Sequence, residues 1–440
     1  MKSSFSPPRP ILPAVLGLAI LLSMPSCKTA EEEALAPDPT AVSPSFGDNT
    51  GTVAVTVSGT GFASGAVLKI MGSAGGNGPI LQATSVTTSG GTTITGTFDL
   101  TGRPTGWNDL VVINPDGKLG ALEGGFKVSQ PTVLFVAGGS SKTVPVFNAA
   151  NTLSGPVTPS RKLITPAFGF PQDISLDSSR LLLYVTNAVP GKVTVFAHPE
   201  TADGTDPPCR EIRNSSYPGW WCSATLDEGR DQLYVIDADQ GVVLIFGNVS
   251  TQNSINGADV APSRILSGPA FANALSLSYD AANDRLFVGC AGDASSHIQV
   301  IDAASGKNGP TTPDRTITGP LFFSTRLYDI WVDGKSDRLY VAAYHHKQLL
   351  CYDHAATANG DTTPAASIPF PGYPQGLWYD PLRDLLYVSY AEYLNAYPVT
   401  WPIPGGICVF AEAKSLTSAS APARTITGLT DPRSLWGSND

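Results

Sequence analysis

Along residues 131–440 the apolar and polar positions recur in a fixed order. An apolar segment closes on an Asp, a short polar turn follows, and a Leu-aromatic-Val core comes next, as in Ile174-Ser175-Leu176-Asp177 and then Leu183-Tyr184-Val185. The cores centre on Phe135, Tyr184, Tyr234, Phe287, Tyr340 and Tyr387, at intervals of 47 to 53 residues. All but the first follow an Asp: Asp177, Asp227, Asp280, Asp333 and Asp380. A third apolar segment comes after the core, as in Val193-Thr194-Val195-Phe196 and Ile407-Cys408-Val409-Phe410. A fourth opens on Arg, as in Arg210-Glu211-Ile212, Arg315-Thr316-Ile317 and Arg424-Thr425-Ile426. Four short strands in each period of about 50 residues predict one blade of a β-propeller.

The ends of this region set the count. Leu134-Phe135-Val136 has no strand of the 172–177 type before it, whereas residues 431–436 supply one such strand with no core after it. That strand is expected to be the innermost one of the first blade, so that two edges otherwise facing water pair with each other. The expectation for residues 131–440 is a six-bladed β-propeller closed by the C-terminal strand.

Residues 41–128 follow a different pattern. Val53-Ala54-Val55-Thr56-Val57, Ala66-Val67-Leu68-Lys69-Ile70 and Asp109-Leu110-Val111-Val112-Ile113 are apolar-rich runs separated by Gly, Asn and Ser. Runs of this length and spacing predict a small antiparallel β-sandwich, so the whole chain is expected to be all-β. Three stretches carry a family likeness: Ser43-Pro44-Ser45-Phe46-Gly47 with Thr50-Gly51, Val57-Ser58-Gly59-Thr60-Gly61-Phe62, and Leu110-Val111-Val112-Ile113-Asn114-Pro115-Asp116-Gly117 closing on Phe126-Lys127-Val128. On these the segment resembles the IPT/TIG family of immunoglobulin-like domains, which implies a spacer or protein-contact module. Pro374-Gln375-Gly376-Leu377-Trp378-Tyr379-Asp380 with Leu386-Tyr387-Val388, and Tyr184-Val185-Thr186-Asn187, resemble NHL-type and YVTN-type propeller repeats. Those motifs report strand packing and leave function open.

Composition narrows the class. The chain has 440 residues, 42% hydrophobic and 15% charged, with a net charge of −10, which suits a turn-rich globular protein and excludes disorder throughout. The basic residues do not cluster, so no nucleic-acid partner is expected.

Lys2 and Arg9 flank the start of an apolar run over residues 11–24, which reads as an export signal. A bilayer-spanning helix needs about 20 apolar residues, more than this run holds. Leu22-Ser23-Met24-Pro25-Ser26-Cys27 resembles the cleavage box of bacterial lipoproteins, departing from it at Met24 and Pro25. The resemblance implies a signal peptide at 1–26, lipidation of Cys27 and a tether over 27–40. Lys28 is not the Asp that in that family retains proteins at the inner membrane, so the expected location is the outer membrane or cell surface of a bacterium, with the membrane a partner through the lipid alone. Of the other cysteines, 209, 222, 290, 351 and 408, Cys209 and Cys222 are nearest in sequence and form a possible disulfide, with buried single thiols the alternative.

Candidate chemistry lies where the repeats differ. Aligning the inner strands on their closing Asp places Gln172, Cys222, Leu275, Tyr328, Gln375 and Arg433 at the channel mouth, followed by Asp173, Ser223, Ser276, Asp329, Gly376 and Ser434. Propellers of the gluconolactonase type resemble this chain in repeat form, and in that family a Glu, an Asn and an Asp at the mouth hold a divalent metal. The first ring here has no carboxylate, so that metal set does not carry over. Asp173 and Asp329 fall in opposite blades and are expected to bond backbone amides and Arg326 or Arg433, with a metal or cationic ligand as the alternative. His345-His346 reads as a solvated turn. No Gly-x-Ser-x-Gly elbow occurs, so neither a catalytic residue nor a cofactor is nominated.

The aromatic residues stand out more. Tyr217-Pro218-Gly219-Trp220-Trp221 leads into one inner strand, and residues 390–404 add Tyr390, Tyr393, Tyr397 and Trp401 to the last blade. With Tyr328 and Tyr344 they are assigned to one face, as a ligand-binding lip or as rings that cap the blades by packing on each other. The expected function is a non-catalytic, membrane-tethered binding or scaffolding protein of the cell envelope, offering its propeller face to a protein or glycan. The alternative is a metal-dependent propeller hydrolase or lactonase with an atypical site.

Overall fold

The computed structural model describes residues 35–72, 79–292, 296–392 and 403–438. Two packed sheets form its N-terminal part. One is ordered Asp38–Ser43, Thr52–Thr60, Thr93–Asp99 and Thr84–Ser89. The other runs Phe46–Asp48, Leu119–Ser129, Gly106–Ile113, Val67–Gly72 and Leu81–Gln82. Alternation turns Val55, Val57, Ile94 and Phe98 of the first sheet onto Leu68, Ile70, Leu110, Val112 and Phe126 of the second. Phe98 and Phe126 meet between the sheets with ring centroids 5.8 Å apart. The first strand begins at Asp38, so residues 38–40, expected in the tether, belong to a sheet: Asp38 pairs with Thr60 and Pro39 with Gly59.

Among the described residues beyond Gln130, six sheets stand side by side, each antiparallel through its four main strands. The second contains Pro171–Asp177, Leu182–Asn187, Lys192–Ala197 and Arg210–Ile212 in that order, and the next four sheets repeat the plan. Their first strands are Trp221–Asp227, Ala274–Asp280, Leu327–Asp333 and Tyr373–Asp380. In the first sheet the inner position beside Val133–Gly138 is filled by Pro432–Ser438, with Phe135 opposite Trp436. These innermost strands touch in cyclic order, and Pro432–Ser438 contacts both Tyr373–Asp380 and Pro171–Asp177. The sheets therefore form a closed ring.

The repeated residues have local physical roles. Each closing Asp caps the turn into the second strand: Asp177 Oδ1 accepts from Arg180 N at 2.9 Å, Asp227 Oδ1 from Arg230 N at 3.1 Å and Asp280 Oδ1 from Asn283 N at 3.2 Å. The residue before the second strand is left-handed, and Asp231, Asp284, Asp337 and Asp384, a type that tolerates that region, hold it in four of the turns. Tyr184, Tyr234, Tyr340 and Tyr387 are fully buried between neighbouring sheets, as the Leu-aromatic-Val pattern requires. Outer-strand arginines tie one sheet to the next: Arg264 Nη1 donates to Lys307 O at 2.9 Å and Arg315 Nη1 to Ala355 O at 3.2 Å.

Candidate functional site

Every inner strand carries a bulge near its start. The pairing skips between Pro171 and Asp173, Trp221 and Ala224, Ala274 and Ser276, Leu327 and Asp329, and Pro374 and Leu377. In the closing strand it skips between Pro432 and Leu435. A bulge leaves its extra residue unpaired and re-aims the side chain. Gln172, Asp173, Cys222, Ser223, Tyr328, Asp329, Gln375, Arg433 and Ser434 consequently meet around one small cavity of about 10 Å³. Leu275, aligned with them by sequence, instead lines a separate cavity farther out.

Asp173 is buried and Asp329 half-buried, and both border the same cavity. Asp173 Oδ1 accepts from Ile174 N at 2.8 Å, and its Oδ2 accepts from Ser223 Oγ and Ala224 N, each at 2.8 Å. Asp329 Oδ1 accepts from Ile330 N at 2.8 Å and Oδ2 from Leu377 N at 2.7 Å. Burial raises the pKa of both carboxyls, and the negative charge of Asp173 adds to the rise at Asp329. The expected amide bonds form, but the expected bonds to Arg326 or Arg433 do not. Arg433 Nε lies 2.9 Å from Asp431 Oδ1 and its guanidinium sits over Phe170, while Arg326 is turned to the outer cavity.

That outer cavity, about 450 Å³, opens where three neighbouring sheets present their inner-strand starts and the turns that follow their second strands. Trp220, Ala238 and Asp239 come from one sheet, Asn273, Leu275, Ala291 and Gly292 from the next, and Ser324, Thr325, Arg326 and His345 from the third. Asp239 Oδ2 accepts from the backbone N–H of Trp220 at 3.0 Å, which holds the main chain at the rim. Thr325 Oγ1 accepts from His345 N at 3.1 Å. Burial, aided by the charge of Arg326 and by His346, lowers the pKa of His345. A second depression of about 420 Å³, lined by Phe170, Gln172, Ala188, Val189, Trp220, Tyr328 and Arg433, adjoins the first and shares Trp220 with it.

The nominated aromatic residues divide. Trp220 and Tyr328 border these cavities and keep accessible surface. Trp221 is a correction to the lip: it is fully buried, 5.8 Å from Phe246 between centroids, and its Nε1 donates to Tyr217 O at 3.0 Å. Adjacent strand residues point to opposite sides, so only one Trp of the pair can face out. Tyr344 is also buried, stacked 4.3 Å from Tyr328 and tilted 5.1 Å from Tyr373, with its pKa pushed up to about 12 by burial. Tyr390 is buried against Phe370 at 5.9 Å. Each of these three side chains packs on other aromatic residues: Trp221 on Phe246, Tyr344 on Tyr328 and Tyr373, and Tyr390 on Phe370. Tyr393, Tyr397, Trp401 and Cys27 lie outside the described residues.

The possible Cys209–Cys222 disulfide is not formed, and both are free thiols. Cys209 is exposed beside an outermost strand and donates to Val195 O at 3.2 Å, whereas Cys222 is buried at the inner end of the following sheet. The radial width of a sheet separates them. Asp239, Asn273, Ser324 and Thr325 were not among the nominated residues. A signal existed for Asn273, since it occupies the position immediately before an inner strand, as Trp220 and Arg326 do. Among the described residues no three His, Cys, Asp or Glu side chains gather where they would hold a metal, and no helix is long and apolar enough to cross a membrane.

The fold places the chain in the all-β class, with a ring of radial sheets as its larger part. No family model and no curated protein matches it. Solved structures similar to it include β-propeller domains and nutrient-binding proteins. An auxiliary nutrient binding protein from Bacteroides thetaiotaomicron is 12% identical, with 91% of this chain and 90% of that one covered and a TM-score of 0.37. A nidogen/laminin complex gives 13% identity over 69% of this chain and 97% of that one, with a TM-score of 0.48. The β-propeller domain of Cps50 (Swd1) from Myceliophteria thermophila gives 13% identity over 74% and 85%, with a TM-score of 0.41. At these identities and scores no ligand or activity passes from those proteins to this chain.

Proposed function

We propose that this chain is a non-catalytic glycan-binding protein of the bacterial envelope, held by a lipid on Cys27. In this reading an immunoglobulin-like domain spaces a six-bladed β-propeller, closed by the C-terminal strand, away from the membrane. The observation that carries the reading is the 450 Å³ cavity in which Trp220 stands beside Asp239, Asn273, Arg326 and His345. A sugar ring presents an apolar face of C–H groups and a rim of hydroxyls, each both donor and acceptor. An indole matches the face, and short planar side chains, some accepting and some donating, match the rim. The volume falls within the range of small-ligand pockets, roughly 300–1,000 Å³. A protein partner would instead need an extended surface of about 800 Å² on each side. Residues 28–37 precede the first strand and supply the tether between lipid and sheets.

The test is a glycan array probed with protein lacking residues 1–27 and with its Trp220→Ala variant. Binding to a related set of saccharides by the wild type, lost in the variant, is the expected result. An array with no signal above background, at a protein concentration of about 10 µM that reaches typical weak lectin-like affinities, rejects the glycan reading.

A further inference from the structure

We propose that the saccharide taken by the Trp220 cavity is acidic, with its sugar ring on the Trp220 indole and its carboxylate or sulfate group on the Arg326 guanidinium. This rests on the saccharide reading of that cavity and adds to it the charge of the ligand.

The cavity is polarised. Asp239 lines it from the sheet whose inner strand is Trp221–Asp227, and Arg326 and His345 line it from the sheet whose inner strand is Leu327–Asp333. Among the described residues, the sheet between them contributes Asn273, Leu275, Ala291 and Gly292, none of them charged. Asp239 and Arg326 are both exposed and form no ion pair with each other.

The Arg326 guanidinium is the unsatisfied group. Among the described residues no hydrogen bond or ion pair reaches it, whereas Arg264 and Arg315 give theirs to carbonyls of the next sheet. Asp239 has one oxygen engaged, Oδ2 with the backbone N–H of Trp220, and keeps Oδ1 for a ligand hydroxyl.

Positive charge gathers at the Arg326 end. Residues 323–326, which enter the inner strand, and residues 344–347, which follow the second strand, carry Arg326, His345, His346 and Lys347 with no Asp or Glu. Burial first, and then the positive charge of Arg326, lower the pKa of His345. In a chain of net charge −10 this rim is a local positive field, and such a field draws in anions.

Position matches the parts of an acidic sugar. Trp220, Asn273 and Arg326 each stand immediately before the inner strand of their own sheet, in three successive sheets. They present in a row an indole for the C–H face, an amide for the hydroxyls and a guanidinium for the acid. Two oxygens of a carboxylate or sulfate fit the parallel N–H groups of Arg in charge-assisted hydrogen bonds, which are roughly twice as strong as the neutral ones a hydroxyl forms.

The test uses the chain without residues 1–27 and a glycan array on which each uronate saccharide is printed beside its methyl ester and each sulfated saccharide beside its unsulfated parent. Either change removes the charge and keeps the sugar rings. The expected result is that the strongest wild-type signals come from acidic members, each bound at least about tenfold tighter than its neutral counterpart. The type of pair that shows the difference tells carboxylate from sulfate. Arg326→Gln, an exchange at an exposed side chain, should bring the two members of a pair to comparable binding, and Trp220→Ala should lose both. Equal binding of acidic and neutral members by the wild type overturns the acidic ligand and leaves the saccharide reading standing. So does an acid preference that survives in Arg326→Gln. No signal from any saccharide overturns both.

Discussion

Arg383, in the turn between the first two strands of the last ring sheet, forms an ion pair with Asp48 at the edge of the N-terminal sheets. The same guanidinium pairs with Asp380 at 3.2 Å, donates to Gln130 O at 2.7 Å and lies over the ring of Phe46. Asp48 also accepts from Asn151 Nδ2 at 3.1 Å, so one carboxylate gathers donors from both ends of the ring seam. The N-terminal sheets are thereby fixed against the place where the ring closes.

Replacing Arg383 by Ala takes the counter-charge from buried Asp380, which keeps its bonds from Thr132 Oγ1 and the Leu382 and residue 383 amides, and removes the ion pair to Asp48. Breaking a buried pair from one side costs about 3–5 kcal/mol. The expected outcome is a lower Tm and faster proteolytic cutting near residues 129–131. An unchanged Tm and cutting rate would show that the two parts are held by other contacts.

Trp220 and Trp221 give opposite outcomes in one experiment. Trp221→Ala empties a packed site between sheets and should cost about 3–5 kcal/mol in denaturant unfolding. Trp220→Ala removes a rim residue and should stay within about 1 kcal/mol of wild type. Equal losses would mean that the register of this strand differs from the one described.

The contrast shows what could be read from sequence. The ring was legible because burial repeats: an Asp caps each turn, a Tyr or Phe fills each gap between sheets, and residues 431–436 match the inner strands that lack a partner at the other end. The site was less legible because it is made by bulges. Leu275 holds the same bulge position as Gln172 and Tyr328 yet lines the outer cavity, and strand alternation turns Trp221 inward beside an accessible Trp220; neither difference is marked in an apolar/polar pattern. Asp239 and Thr325 belong to turns of two different sheets, and a single chain pattern does not say which turns share a cavity.

Thiol reactivity follows burial. Cys290, Cys351 and Cys408 are buried, with thiols pushed up to about 12, and burial raises Cys222 as well. In protein lacking residues 1–27, a maleimide reagent should modify Cys209 alone under native conditions and all five thiols after denaturation. Cys209→Ser should abolish the native reaction. Protection of Cys209 and Cys222 together, reversed by a reductant, would contradict the free-thiol assignment.

Closure of the ring depends on close approach at Gly376. A Cβ there would meet Arg433 O at 2.4 Å and Ser434 Cα at 2.6 Å, both in the closing strand. Gly376→Ala should therefore cost about 1–3 kcal/mol by overpacking. Removing residues 431–440 should abolish the single cooperative unfolding transition, because Val133–Gly138 of the first sheet then loses its inner partner and exposes an unpaired edge. A truncated chain that unfolds like the wild type would refute closure by this strand.

The central claim is that the Trp220 cavity binds sugar, and titration calorimetry tests it most directly. The saccharide strongest on the array is titrated into the wild type, Trp220→Ala and Arg326→Ala. The account predicts saturable 1:1 binding by the wild type, no measurable heat with Trp220→Ala, and at least roughly tenfold weaker binding with Arg326→Ala, the loss of a charge-assisted hydrogen bond being worth about 1.5–3 kcal/mol. Binding of equal strength in all three proteins would contradict it.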